Sequence, residues 1–182
     1  MYPGIHAATA PERPAVVFTP TGEVVTYREL EDRSNQLAQQ WFALGLRKGD
    51  HVAILAENHP RFLEVYWAAV RSGLYITAVN WHLTADEAAY IVTDCQAKLL
   101  VTTFRLADLA SAVVDELAER PHVFMMDGVV GGFESYEESM AESAPVPLAE
   151  QPRGDMMLYS SGTTGRPKGI RRPLTGITID DP

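Results

Sequence analysis

Along residues 15–126, short apolar runs alternate with stretches whose apolar positions recur at helical spacing. Residues 15–18 and 23–26 flank Pro20-Thr21-Gly22, a turn-forming set that predicts an opening hairpin. Thr26 and Glu29 have capping-box spacing, and Leu30, Leu37, Trp41 and Leu44 recur at helical intervals before Gly45, placed as a left-handed C-terminal residue. A strand is predicted over 51–56. Asn58 and Pro60 then open a second helix with Leu63, Tyr66, Trp67 and Val70 as its buried stripe, ending near Gly73. The alternation continues with a strand over 74–79, a helix from the Thr84/Glu87 capping box to about Cys95, and a strand over 98–103. A helix over about 106–119 and a strand over 122–126 follow.

Strands and amphipathic helices alternating at such short intervals predict right-handed crossovers. The fold class is therefore α/β, with a mainly parallel sheet covered by helices on both faces. After Asp127 the texture changes to Gly128, Gly131 and Gly132, an acidic stretch over 133–143, and Pro145, Pro147 and Pro152. Three parts are expected: a βαβ-repeat subdomain over 1–126, a connection with one short helix over 127–154, and a strand with a loop over 155–182 that begins a second, truncated subdomain.

Composition narrows the chemistry. With 46% hydrophobic and 21% charged residues in 182, the chain can bury a core, which excludes disorder. Cys95, the single cysteine, can form neither an internal disulfide nor a multi-thiolate metal site, and it sits on a helix with no activating base nearby. That fits a reducing cytoplasm. The five histidines lack metal-ligand spacing, and no apolar run is long enough to span a membrane. The formal net charge is −9. Its distribution matters more than its sum, because residues 121–152 carry six acids and no Lys or Arg, whereas residues 166–172 carry four bases and no acid. A general nucleic-acid surface is disfavoured, and the short basic segment suits a small polyphosphate.

That segment closes the most informative stretch. The apolar run 155–159 predicts a buried strand leading directly into Ser160-Ser161-Gly162-Thr163-Thr164-Gly165-Arg166-Pro167-Lys168-Gly169. Glycines let backbone N–H groups converge on a phosphate, hydroxyls donate to its oxygens, and Lys168 supplies a mobile positive charge, with Arg166 as a possible helper. A Walker loop is excluded, because Pro167 precedes the lysine and Gly169 follows it. A nucleophile elbow is excluded too, since Tyr159 stands two residues before Ser161, where glycine is required.

Residues 159–169 closely resemble the phosphate-loop signature of the adenylate-forming (AMP-binding) enzymes, which include acyl-CoA synthetases, peptide-synthetase adenylation domains and luciferase. The segments 25–30, 45–54 and 68–73 are similar, in the same order, to those preceding the loop in that superfamily. Asn80-Trp-His-Leu-Thr84 and Arg171-Arg172-Pro173-Leu174 look most like bacterial fatty-acyl-CoA synthetases. The resemblance implies the N-terminal part of the large domain of an acyl-CoA synthetase-like fold. The activity it implies is an ATP-dependent acid–thiol ligase: a carboxylate, here a fatty acid, attacks the α-phosphate of ATP, expels pyrophosphate, and the acyl group passes to coenzyme A. By the same resemblance, Ser160, Ser161, Gly162, Thr163, Thr164, Gly165 and Lys168 are expected on the ATP phosphates. Lys168 and Thr163 are the expected catalytic contributors, with Mg2+ near Ser160. The superfamily's adenine, ribose and C-terminal lysine contacts lie downstream of this loop, so the chain is expected to be an inactive N-terminal piece of a larger ligase. An amino-acid- or aryl-acid-activating enzyme, and a non-catalytic self-associating module that forms a homo-oligomer, remain open alternatives.

Overall fold

The computed structural model describes residues 2–160 and 166–181. Helix α1 (Pro3–Thr9) precedes a hairpin of β1 (Pro14–Phe18) and β2 (Glu23–Thr26). Next come α2 (Tyr27–Ala43), β3 (His51–Leu55), α3 (Phe62–Arg71), β4 (Tyr75–Val79), α4 (Ala85–Asp94) and β5 (Ala97–Thr103). The chain continues through α5 (Ala107–Glu116), β6 (His122–Met126), β7 (Glu134–Ser135), α6 (Tyr136–Ala141), β8 (Asp155–Ser160) and β9 (Lys168–Arg171). Seven strands form one sheet in the order β7-β6-β5-β3-β4-β8-β9, parallel throughout except for the antiparallel pair β8–β9.

The α/β class and the parallel sheet agree with the alternation in the sequence. Side chains of β3 alternate between two cores, as the strand period of two requires. Val52 and Ile54 pack with α2, α3 and Tyr136 on one face, and Ala53 and Leu55 pack with α4 and α5 on the other. Helix α2 begins where the capping box placed it: the Glu29 amide donates to Thr26 Oγ1 at 3.2 Å, and the Thr26 amide donates to the Glu29 carboxylate at 2.8 Å. Its C-terminus is followed by Gly45 at φ 94°, a left-handed conformation that glycine adopts without a Cβ clash.

The expected stripe of α3 is where the structure departs most from the pattern. Leu63 is exposed and Tyr66 and Trp67 are half-buried, whereas Glu64, Val65, Ala68, Ala69, Val70 and Arg71 form the buried face. Of the expected stripe only Val70 is buried, and the buried face is rotated from it to take in two charged residues. Glu64 accepts from Arg33 at 2.9 Å and from the Tyr136 hydroxyl at 3.0 Å, while Arg71 donates to Glu31 at 2.9 and 2.6 Å. Both are fully buried, and such paired charges replace the apolar residues that a periodicity count looks for. Helix α1, the short strand β7 and the return strand β9 carried no readable signal.

Strand β8 is held beside β4 through a close approach at Gly154. Its amide donates to the Val70 carbonyl at 2.7 Å, and the Asp155 amide donates to the Leu74 carbonyl at 3.2 Å. A Cβ at Gly154 would lie 2.1 Å from the Leu74 oxygen, so the register of β8 depends on glycine here.

Candidate phosphate-binding site

Because β3, β4, β5, β6 and β8 run parallel, their C-terminal ends share one edge of the sheet. In open α/β sheets this is the edge at which ligands bind. Ser160, the last residue of β8, reaches it, and the chain returns as β9 with Ser160 paired to Lys168 and Tyr159 paired to Gly169. The hairpin thus brings two of the residues expected on phosphate side by side, and both are exposed. Ser161, Gly162, Thr163, Thr164 and Gly165, the other expected phosphate contacts, lie outside the described residues.

The stems of the loop are tied down on one flank. Tyr159 donates its hydroxyl hydrogen to Asp94 at 2.6 Å, and the Tyr90 hydroxyl donates to the Pro167 carbonyl at 3.1 Å. The Arg166 guanidinium lies 4.9 Å from the centroid of the Tyr90 ring, a cation–π distance. Burial and the hydrogen bond to Asp94 push the Tyr159 phenol above its usual range, so it remains a protonated donor. Gly169 is required beneath it, since a Cβ there would come within 3.0 Å of the Tyr159 ring and 2.2 Å of Met157 Cε. Tyr90 and Asp94 were not singled out from the sequence, for they stand more than 60 positions before their partners.

A second polar group occupies the same edge. Helix α3 connects β3 to β4 on one face and α5 connects β5 to β6 on the other, so connections diverge at the C-terminal ends of β3 and β5. A cleft of about 550 Å³ opens there, lined by Glu57, His59, Arg61, Trp81, Arg105 and Asp127 among others. His59 Nε2 contacts Asp127 at 2.7 Å while Nδ1 accepts from the Arg61 amide at 3.2 Å. With Nδ1 accepting, Nε2 is the nitrogen that donates to Asp127. Desolvation raises the affinity of Asp127 for a proton, but hydrogen bonds from His59 and Arg61 outweigh it and hold the carboxyl below its usual range. Glu57 accepts from the Thr103 hydroxyl at 2.6 Å. Among the described residues no group of three His, Cys, Asp or Glu side chains is arranged to hold a metal, and no helix is long and apolar enough to cross a membrane.

A hairpin presenting Ser160 and Lys168 at the C-terminal edge of a parallel α/β sheet stands where such folds bind their ligands. The family model described as AMP-binding enzyme matches residues 5–175, and the chain belongs to that family. It is 38% identical over 154 residues to a long-chain-fatty-acid–CoA ligase of Thermus thermophilus, covering 82% of this chain and 28% of the relative. It is 33% identical over 166 residues to a fatty acid–[acyl-carrier-protein] ligase of Streptomyces coeruleorubidus, covering 91% and 31%. Among solved structures, an anthranilate CoA ligase in complex with anthranoyl-AMP superposes with a TM-score of 0.80 at 26% identity, over 92% of this chain and 33% of that one. The chain thus spans less than a third of the length of these curated relatives, and the acids in the relatives' names include both fatty and aryl types.

Proposed function

We propose that the chain is the N-terminal portion of an ATP-dependent acyl-CoA synthetase that joins a carboxylate to coenzyme A through an acyl-adenylate. The observation that carries this reading is the β8–β9 hairpin, which sets Ser160 opposite Lys168 at the ligand-binding edge of the sheet. The carboxylate needs no general base, being ionised at neutral pH. What the reaction demands is stabilisation of charge on the ATP phosphates and on departing pyrophosphate, and a lysine among converging hydroxyls and backbone amides provides it. In this reading Ser160, Ser161, Gly162, Thr163, Thr164, Gly165 and Lys168 embrace the β- and γ-phosphates, with Lys168 and Thr163 following the charge as it moves to the leaving group.

Mg2+, when bound beside Ser160, would neutralise phosphate charge. One hydroxyl suits an ion that keeps most of its waters and takes its other oxygens from substrate. The proposed carboxylate is a fatty acid, supported by the segments 80–84 and 171–174 and by the names of the two relatives above. A cytoplasmic location fits a single, buried cysteine. With so small a share of its relatives' length, the 182-residue chain is not expected to adenylate a substrate alone.

The test is carboxylate-dependent pyrophosphate release by the full-length protein, with and without Lys168→Ala. Loss of the lysine should slow release by roughly tenfold to a thousandfold, as removal of one preorganised donor does elsewhere. An unchanged rate would overturn the assignment. Comparing fatty, aryl and amino acids as substrates in the same assay decides the carboxylate class.

A further inference from the structure

Helix α4 presents Asp86, Tyr90 and Asp94 at successive intervals of four residues, which places them on one face. Two of them, Tyr90 and Asp94, engage the phosphate hairpin through hydrogen bonds. Asp94 accepts from Tyr159 on the outgoing strand, and Tyr90 donates to Pro167, the residue before Lys168. Arg166 lies over the Tyr90 ring. The Asp86 carboxyl is held below its usual range by its hydrogen bond from Thr84, with a smaller contribution from the Arg166 charge. The helix is itself a rigid base: Ala88, Ala89, Ile91 and Val92 are buried in the core it shares with α5, and the Thr84 amide is capped by Glu87 at 3.0 Å.

We propose that Tyr90 and Asp94, acting with Tyr159, are positioning residues for the phosphate loop: the α4 face fixes both stems and thereby the place of the ladder-paired Ser160 and Lys168 relative to the sheet. This rests on the phosphate-binding reading of that loop. Tyr90 and Asp94 need not touch substrate. Tyr90 acts by holding the peptide that leads into Lys168, and Asp94 acts by locking the Tyr159 ring over Gly169, the partner of Tyr159 in the ladder. Without these two hydrogen bonds the hairpin keeps its ladder but loses its lateral reference to the sheet. The lysine then samples positions from which it cannot meet a phosphate, at an entropic cost to binding.

The experiment uses the full-length protein with Tyr90→Phe, Asp94→Asn, Lys168→Ala and the double variant Tyr90→Phe/Lys168→Ala. Tyr90→Phe keeps the ring beneath Arg166 and removes only the hydroxyl. Titration with ATP and Mg2+ and steady-state pyrophosphate release are measured for each, together with the melting temperature. Tyr90→Phe, which loses its hydrogen bond outright, should weaken ATP binding and raise its KM about threefold to tenfold, and Asp94→Asn, whose amide oxygen still accepts from Tyr159 but without the carboxylate charge, should do so about twofold to threefold. The KM for the carboxylate should stay unchanged, as should the melting temperature to within a few degrees. Because Tyr90 acts through the lysine, the double variant should be no worse than Lys168→Ala alone, a non-additivity that a purely structural role would not produce. If Lys168→Ala weakens ATP binding but Tyr90→Phe and Asp94→Asn do not, or if the effects add, the positioning role is overturned and the phosphate reading stands. If Lys168→Ala leaves ATP binding unchanged, both fail.

Discussion

The Tyr136 hydroxyl donates to Glu64 Oε2 at 3.0 Å, joining α6 to α3 across 72 residues of chain inside the core. Glu64 is fully buried, and burial pushes its carboxyl above the usual range, against the pull of Arg33. Tyr136→Phe leaves one carboxylate oxygen short of a donor and should cost about 1–3 kcal/mol. Glu64→Ala leaves the buried Tyr136 hydroxyl without its acceptor and takes one of the two carboxylate partners of Arg33, which keeps Glu29, and should cost about 2–3 kcal/mol. Urea melts of the two variants measure both, and near-neutral values would show that water satisfies this seam.

His51 should make the fold acid-sensitive above the carboxylate range. Burial, and then the neighbouring Arg171 charge, lower its pKa from 6.5 to about 4, against the weaker opposing pull of Asp50. The Nε2 atom accepts from Arg171 at 2.5 Å, which only a neutral ring can do. Since the unfolded chain takes up a proton near pH 6.5 and the folded one does not, stability is complete above that pH. It falls progressively toward pH 4. His51→Phe keeps the stacking on Tyr75 and removes the titration. The difference in unfolding free energy between pH 7 and pH 5 should be smaller in the variant by on the order of 1 kcal/mol.

Two glycines should respond differently to alanine. At Gly154 the obstacle is the Leu74 backbone, which cannot step aside without breaking the β4–β8 register. Gly154→Ala is expected to cost upward of about 2 kcal/mol, within the range for overpacking. At Gly169 the nearest atom is the flexible end of Met157, followed by the Tyr159 ring. Gly169→Ala should therefore melt only slightly lower while weakening nucleotide binding, because the ring must leave Asp94. Equal melting losses would contradict the distinction.

Cys95 should be chemically silent in the native state. Burial raises its thiol to about 11, and Sγ donates weakly to the Val92 carbonyl at 3.4 Å. A maleimide reagent at pH 7.5 should label it only as fast as the chain opens, and fully in urea. Rapid labelling of the folded protein would show that α4 frays at its C-terminus.

How far the sequence disclosed this architecture depended on the range of the interactions involved. The α2 helix was legible because Thr26, Glu29 and Gly45 act within a turn or two of chain. The parallel sheet was legible because uninterrupted apolar runs such as residues 52–56 need burial on both faces. The inward face of α3 was hidden, since Glu64 and Arg71 become acceptable inside only through Arg33, Tyr136 and Glu31, which are remote in sequence. The same distinction divides the candidate site: Ser160 and Lys168 are neighbours along the chain. Their supports Tyr90 and Asp94, and the His59–Asp127 pair, exist only once the strands are aligned.

The return of the chain as strand β9 has an electrical consequence. Where a nucleotide loop leads into a helix, aligned peptide dipoles lend the anion a partial charge that is fixed in the backbone. Here the residues after the loop enter an extended ladder whose dipoles largely cancel. The attractive field at this corner of the sheet is therefore borne by ionisable side chains, Lys168 and Arg166 foremost, standing in water. Such a field is damped over roughly 10 Å at 0.1 M salt, so nucleotide capture here should weaken as ionic strength rises.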